Sequence, residues 1–499
     1  MQRAYLYWIG WSAIIALALW LRIDGLSDRS VHADEATGAR ILAERIEDRY
    51  QFNPKHFHGP FLSFISQPIA KFRGESDWSS LSVFTLRLGV VFAGLMTVLS
   101  PLLWIRTIGS LPALVASALL ASSPLIVYYN RMYIHESWLV LFGLLSLFAI
   151  YRLLERPNRP NALIAGLFVG LMFATKETFI ISIISWSLAA ILFLVVKRSY
   201  SESEFKPVDY IQPITIGIIT SLLVGAAFFT NWFTQPKSFL DAIQTFFIYE
   251  TTPGHEKPTL YYLKLLIWPK NSLGVWWSEG IILLLGLCSI VFAFTKRKNL
   301  PLLSLILVSV LAHLVIYSSI RYKTPWLMLL PWAQACLLAA LAFRSLQEES
   351  KLCMGILFSA LALGLFLQVK QCRLATGSFS NDTRNPYVYV PTSNNLQSLQ
   401  AWLEDLNAVQ PIEPIAVIGS GYWPLPWYLK NFKEIGYWSK VNDDMIRLPV
   451  VMSMDAETQA CADLLNPTHT QLPRSLRENV SITLFLRNDL WQNWNEETP

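Results

Sequence analysis

Two adjacent carboxylates follow the first apolar run of the chain. They are Asp34 and Glu35, and the run ends at Leu21, about a dozen residues earlier. A carboxylate in this position can act as a general base and take a proton from a hydroxyl. A second interpretation fits the same residues, because acids at the start of a helix cap it and complement its dipole. The residues alone leave both roles open.

The segment after the acid pair predicts such a helix. From Glu35 to Tyr50, apolar side chains recur at steps of three and four residues, the period of a helix with one apolar face. We expect this helix to lie along a membrane surface. Its apolar positions are Ala36, Ala39, Leu42, Ala43 and Ile46.

Further ionisable residues cluster in three short motifs, each at the edge of an apolar run. They are Arg131, His135 and Glu136 in RMYIHE, Lys176 and Glu177 in TKE, and Arg321 and Lys323 in IRYKTPW. Arginine and lysine bind phosphate through charge-assisted hydrogen bonds. Together with the acid pair, they predict a site that holds a phosphate next to a carboxylate able to act on a hydroxyl. Snorkelling of the long side chains to the membrane interface is the plainer alternative.

The segment NPKHFHGPF adds His56 and His58. Two histidines two residues apart, without a third clear ligand, indicate a metal site only weakly, so we expect them to bind a sugar or a phosphate. Asp34, Glu35 and Glu136 have the oxygen ligands that a divalent metal ion would use. We nevertheless predict no cofactor and no dedicated metal site.

The composition predicts a membrane protein. Of the 499 residues, 53% are hydrophobic and 15% are charged, whereas about a quarter are charged in a typical soluble protein. The net charge of +5 comes without a basic tract suited to nucleic acid, so nucleic acid is not an expected partner. Spans of roughly 20 apolar residues are predicted at about 4–22, 86–105, 110–129, 136–152, 160–175, 178–196, 211–232, 276–294, 300–320, 324–343 and 352–370.

Lysine and arginine in the short loops predict the orientation. Most of them fall on one side if the N-terminus is cytoplasmic, as the positive-inside rule requires, and the C-terminus is then extracytoplasmic. The exceptions are Arg131, Lys176, Arg321 and Lys323. Ionisable groups at membrane depth are costly and mark functional sites, so these exceptions support the predicted site on the outer side.

The chain divides into two predicted parts. Residues 1–370 form an all-α polytopic membrane module with long outer loops at 23–85 and 233–275. Residues 371–499 form a small extracytoplasmic α/β domain, since PIAVIGSG predicts a buried strand and a glycine turn, and NNLQSLQAWLEDL predicts a helix. A disulfide between Cys372 and Cys461 is conceivable in this domain.

The motifs in their order resemble those of the GT-C membrane glycosyltransferases. DEA after the first span, HGPF, RMYIHE, TKE and YKTPW are similar to the branch that contains the dolichyl-phosphate-mannose protein mannosyltransferases and the aminoarabinose transferases of lipid A. DEATGAR, YKTPWL, NPYVYVPT and YWPLPWYL further resemble a prokaryotic subgroup described as flippase-associated.

The resemblance implies a multi-pass enzyme of the cell membrane with about 11 spans. Its donor would be a polyprenyl-phosphate sugar, and its acceptor a glycan, lipid or protein on the extracytoplasmic face. Asp34 matches the acidic residue treated as catalytic, and Glu35 its partner. We expect inversion at the anomeric carbon, with Arg321 and Lys323, backed by Arg131 and Lys176, stabilising the departing phosphate.

Two alternatives remain from other classes. A lipid-linked-oligosaccharide flippase or its accessory would move the carrier without forming a bond, but transporters place charges near the bilayer midplane. Here the ionisable residues lie at one edge, and His313, interpreted as a packing residue, is the one obvious titratable group well inside a span. A polysaccharide-binding scaffold would use the aromatic residues around Tyr422 and Trp427.

Overall fold

A helical module comes first in the chain, and a small sheet domain follows it. The structure is a computed structural model that describes residues 2–56, 58–200, 206–248, 255–297, 299–345 and 351–497. The helices are α1 Gln2–Ile23, α2 Ala33–Ile46, α3 Phe61–Phe72, α4 Val83–Leu99, α5 Ile105–Ile108, α6 Ser110–Ser122, α7 Pro124–Tyr129, α8 Glu136–Glu155, α9 Arg159–Thr175, α10 Phe179–Tyr200, α11 Val208–Phe229, α12 Lys237–Ile248, α13 Tyr261–Leu266, α14 Gly280–Lys296, α15 Leu300–Ser319, α16 Leu329–Ala340, α17 Ala342–Ser345, α18 Lys351–Thr376, α19 Asn394–Gln397, α20 Leu399–Val409, α21 Leu425–Tyr428, α22 Thr458–Leu465 and α23 Asn488–Glu497. The strands are β1 Lys270–Ser272, β2 Val275–Trp277, β3 Ile415–Ile418, β4 Ile435–Trp438, β5 Val450–Met454, β6 His469–Arg477 and β7 Val480–Arg487.

Each predicted span contains a helix, which confirms an all-α membrane module. Within the described residues, seven helices are long and apolar enough to cross a membrane: Val83–Ile108, Glu136–Glu155, Phe179–Tyr200, Val208–Phe229, Leu300–Ser319, Pro325–Arg344 and Lys351–Thr376. Shorter apolar helices occupy the other predicted spans: Tyr7–Ile23, Ser110–Ser122, Arg159–Thr175 and Gly280–Lys296. The interior histidine His313 hydrogen-bonds to the carbonyl of Ser309 at 2.8 Å and to the hydroxyl of Ser182 at 3.0 Å, as expected of a packing residue.

Helix α2 lies in the first predicted outer loop, residues 23–85, where the apolar period predicts it. It covers Ala33–Ile46 and ends four residues earlier than expected. All five predicted apolar positions are buried, and the helix packs against α3. Its apolar face is thus covered by protein, and the helix forms a fixed part of the module rather than an appendage on the membrane surface.

The motif HGP pairs with the motif TKE. His58 and Lys176 form an isolated antiparallel bridge, and the N–H of Gly59 donates to the carbonyl of Thr175 at 3.1 Å. A Cβ atom at Gly59 would lie 2.1 Å from the carbonyl oxygen of Ala174. Only glycine allows the two backbones to approach this closely, and their contact fixes the first outer loop to the end of α9.

The C-terminal part contains the predicted α/β domain. Its five-stranded sheet has the order β4-β3-β5-β7-β6, parallel among β4, β3 and β5 and antiparallel beyond. The predicted buried strand is β3, and Gly419 and Gly421 follow it with positive φ. The predicted boundary at residue 370 falls inside α18. Cys372 and Cys461 are both buried and free, so the disulfide is wrong.

This domain holds the start of α2. The hydroxyl of Thr392 donates to the carbonyl of Val31 at 2.7 Å, and the N–H of Val31 donates to the hydroxyl of Tyr428 at 2.9 Å. The imidazole Nε2 of His32 lies 3.2 Å from the carbonyl of Tyr389. The segment that carries the acid pair is therefore clamped between the membrane module and the C-terminal domain.

The close approach at Gly59 predicts the effect of one added methyl group. Gly59→Ala should lower the melting temperature in detergent, because the clash with a backbone carbonyl forces HGP and TKE apart. Gly355→Ala is the matched control, since a Cβ there meets nothing within 4 Å and α18 favours alanine. Equal melting temperatures for the two variants would contradict the pairing.

Candidate active site

A cavity of about 480 Å³ opens beside α2. Of the predicted site residues, six line it: Asp34, His58, His135, Glu136, Lys176 and Glu177. Four do not: Glu35, Arg131, Arg321 and Lys323. The side chain of His56 lies outside the described part of the structure. The structure thus brings together residues from three separate motifs, HGP, RMYIHE and TKE, with the first acid of the pair.

The two adjacent acids have separate environments. The side chain of Asp34 is 54% exposed, and its nearest ionisable neighbour is His32, with Nδ1 3.6 Å from the carboxylate. The side chain of Glu35 is 1% exposed. His32 caps α2, since its Nδ1 accepts from the N–H of Asp34 at 3.1 Å, and Glu35 accepts from the N–H of His32 at 3.0 Å. Capping therefore uses Glu35 and leaves the carboxylate of Asp34 available.

Glu35 is held by a buried arginine. Arg87 donates to both of its carboxylate oxygens at 2.8 Å, and the N–H of Tyr133 donates at 2.8 Å. Burial alone would raise the pKa of Glu35, but the charge and hydrogen bonds of Arg87 outweigh it and lower the pKa to about 2. The carboxylate stays ionised and has no part in the cavity. The prediction that Glu35 is a catalytic partner of Asp34 is corrected, because its carboxylate is bound to Arg87 and does not line the cavity.

Arg87 also binds the backbone that leads into α2. Its Nη1 donates to the carbonyls of Leu26 at 2.8 Å and Arg29 at 3.1 Å. Arg87 was not among the predicted site residues, although it stands just inside the predicted span 86–105. A single charged residue inside a membrane span requires a carboxylate or a carbonyl as its partner. This requirement indicates from the sequence that Arg87 has a buried contact. Glu279, inside the predicted span 276–294, was also not predicted; it is buried and accepts from the N–H of Leu125 at 2.9 Å and from Nε1 of Trp332 at 2.8 Å.

Two ion pairs form the opposite wall of the cavity. The ammonium of Lys176 donates to the carboxylate of Glu136, and both side chains are buried. Nδ1 of His58 lies 3.0 Å from the carboxylate of Glu177. Burial would lower the pKa of Lys176, but Glu136 and Glu177 outweigh it and the net shift is upward. Burial would raise the pKa of Glu177, and the charge of His58 outweighs it, so that the net shift is downward.

His135 stands beside these pairs as a neutral group. Its ring centroid lies 4.9 Å from that of His58. Burial lowers its pKa well below the ordinary value, and the charges of His58 and Lys176 lower it further. At neutral pH the imidazole can therefore both donate and accept hydrogen bonds. The wall offers one permanent cation, Lys176, among the described lining residues.

The other predicted cations are used elsewhere. Arg131 donates to the carbonyls of Leu21 at 3.0 Å and Gly25 at 2.7 Å, so its guanidinium secures the end of α1. The ammonium of Lys323 donates to the carbonyls of Lys257, at 3.1 Å, and Ile320. The predicted phosphate contacts of Arg131 and Lys323 are therefore corrected, because both charged groups bind backbone carbonyl oxygens and do not line the cavity.

The motif IRYKTPW runs extended, and its side chains alternate. Ile320, Tyr322 and Thr324 line the cavity. Arg321 is exposed and Lys323 is buried away from the cavity, because successive side chains of an extended segment point to opposite sides. The sequence thus predicted Arg321 and Lys323 as site residues, but the structure places Tyr322 and Thr324 in the cavity wall.

The described residues contain no group of three or more His, Cys, Asp or Glu side chains that could hold a metal ion. Of the three suggested oxygen ligands, Glu35 pairs with Arg87 and Glu136 with Lys176. Asp34 and Glu136 line the same cavity, but the three carboxylates do not form a metal-binding group. The absence of a cofactor stays a prediction.

Comparisons with known proteins identify the fold. A family model described as dolichyl-phosphate-mannose-protein mannosyltransferase matches residues 57–233. A search of curated proteins finds no match. The matched segment contains α3 to α11 and the HGP, RMYIHE and TKE motifs of the cavity wall, whereas Asp34 and the IRYKTPW motif lie outside it.

Solved structures are similar over nearly the whole chain. The ArnT of Cupriavidus metallidurans bound to undecaprenyl phosphate has a TM-score of 0.65 at 15% identity, covering 96% of this chain and 99% of its own. An oligosaccharyltransferase of Archaeoglobus fulgidus tethered with an acceptor peptide has a TM-score of 0.56 at 14% identity, covering 98% and 77%. The chain has the GT-C fold, as its motifs predict.

The different environments of the two acids predict different effects on stability. Glu35→Gln leaves the charge of Arg87 buried without its partner and should cost about 3–5 kcal/mol of unfolding free energy. Asp34→Asn changes an exposed carboxylate and should stay within about 0.5 kcal/mol. Thermal unfolding in detergent, followed by tryptophan fluorescence, measures both variants. Similar destabilisation by the two would contradict the separation.

Proposed function

We propose that the chain is an integral membrane glycosyltransferase. It transfers a sugar from a polyprenyl-phosphate-linked donor to an acceptor on the extracytoplasmic face. One observation supports the proposal most strongly. The exposed carboxylate of Asp34 and the buried ammonium of Lys176 line the same cavity. A base and a phosphate-binding cation are the two groups that such a transfer needs.

Asp34 is the proposed general base. It takes the proton of an acceptor hydroxyl, whose oxygen then forms a bond to the anomeric carbon of the donor sugar. The bond from that carbon to the phosphate oxygen breaks on the opposite side, so the reaction inverts the configuration. The polyprenyl phosphate leaves with the electron pair of the broken bond.

Lys176 is the proposed phosphate ligand. A lysine ammonium has three donors, and among the described residues it donates one hydrogen bond, to Glu136. Donors remain for a phosphate oxygen, whose negative charge grows as the bond to the sugar breaks. His58 and His135 flank it, and neutral His135 can donate to the same phosphate. This set replaces the predicted Arg131, Arg321 and Lys323.

The apolar part of the cavity suits the lipid carrier. Ile180 and Ile181 of α10 and Phe246 of α12 line it. The outer surface of α12 is also apolar, with Leu240 67% and Phe247 84% exposed, as expected of a helix at the boundary with lipid. These side chains offer a polyprenyl chain an apolar surface at the cavity.

The test is transfer by purified protein from radiolabelled polyprenyl-phosphate sugars. Asp34→Asn should fold and insert normally and lose turnover by at least 100-fold, the lower range of a general-base contribution. Asp48→Asn is the matched control, an exposed acid of the same loop that does not line the cavity. Near-normal turnover in Asp34→Asn, or movement of the lipid across vesicles without any product, would overturn the proposal.

A further inference from the structure

Three side-chain hydroxyl oxygens of the cavity wall, those of Tyr133, Thr178 and Thr324, are buried and unpaired among the described residues, and Thr324 lies in the motif IRYKTPW, between two aromatic lining residues. Thr324 is 1% exposed, and its Oγ1 is unpaired among the described residues. The residue stands at the N-cap of a short 3₁₀ helix, Pro325–Met328, where a threonine hydroxyl ordinarily accepts from a backbone N–H. Here the side chain does not make that bond.

An unpaired buried hydroxyl lowers the stability of the folded protein. Valine has the same shape and would avoid this cost. A ligand seated in the cavity is the partner that the fold itself does not supply, because Thr324 forms part of the wall. Ligand sites commonly use a few such polar groups in a largely apolar surface to fix orientation.

The neighbours of Thr324 indicate which part of the donor meets it. Tyr322 and Trp326 line the cavity on either side along the chain, and aromatic rings offer flat apolar faces to the C–H surface of a sugar. The cations of the motif, Arg321 and Lys323, point away from the cavity. This part of the wall therefore carries no charge for a phosphate.

We infer that Thr324 determines sugar specificity by hydrogen-bonding a hydroxyl of the donor sugar between Tyr322 and Trp326. The inference rests on the proposed function and adds the group that recognises the sugar. A site built to pair a substrate hydroxyl discriminates strongly against analogues that lack it, because the protein group is then left unpaired.

The test compares a bare lipid phosphate with two sugar-bearing lipids and uses three variants. Binding of undecaprenyl phosphate and of undecaprenyl phosphate carrying a hexose or a pentose is measured by the rise in melting temperature and by titration. Thr324→Val should have an equal or higher Tm than the wild type without lipid. It should bind the best sugar-bearing lipid about tenfold more weakly and bind the bare lipid phosphate unchanged. Thr324→Ser, which keeps the hydroxyl, should retain the preference for that sugar.

Thr97→Val is the matched control. The hydroxyl of Thr97 in α4 is also buried and unpaired among the described residues, but it does not line the cavity. This variant should gain stability in the same way and bind both lipids as the wild type does.

The outcomes separate the two proposals. If the wild type binds no sugar-bearing lipid better than the bare lipid and transfers none, the proposed function fails and the role of Thr324 fails with it. If the wild type discriminates and Thr324→Val keeps the full discrimination, the inference alone is overturned. If Thr324→Val weakens the binding of the bare and of the sugar-bearing lipid equally, the hydroxyl contacts the phosphate, and this result also overturns the inference.

Discussion

The buried ion pair of Glu35 and Arg87 is the constraint on which the site depends. It joins α2 to α4, and Arg87 also binds the backbone that leads into α2. A buried pair of this kind contributes little net stability, but loss of one partner leaves an uncompensated charge. The pair therefore permits few other positions for the start of α2. Because Glu35 is paired with Arg87, the carboxylate of the adjacent Asp34, with His32 as its neighbour, is the one of the two acids that lines the cavity.

The C-terminal domain completes this arrangement from the other side. Its contacts with Val31 and His32 hold the residues that precede α2. The HGP and TKE segments hold the opposite wall through a backbone contact that only Gly59 allows. Asp34 and Lys176 thus come from different elements that are each held in place, which suits the proposed transfer because its rate depends on the geometry of donor and acceptor. The domain thereby acts on the site through position and supplies no acid or base to the cavity wall among the described residues.

The sequence predicts the elements better than the directions of the side chains. Apolar periodicity identifies α2 and the spans because burial of one face depends on residue type and spacing alone. Six predicted site residues meet at the cavity, since motifs at neighbouring span edges converge. Arg321 and Lys323 were chosen for their charge, yet an extended backbone points them away and presents Tyr322 and Thr324. The position of Arg87 inside a predicted span indicates that it needs a buried partner, but that this partner is Glu35 depends on a long-range contact that leaves no local pattern.

An experimental structure with undecaprenyl phosphate bound tests the central claim most directly. We expect the phosphate in the cavity within hydrogen-bond distance of the ammonium of Lys176, with the carboxylate of Asp34 facing the same space and Glu35 still paired with Arg87. A phosphate held by Arg131, Arg321 or Lys323 outside this cavity, or a Glu35 carboxylate that has left Arg87 to contact the ligand, would contradict the account.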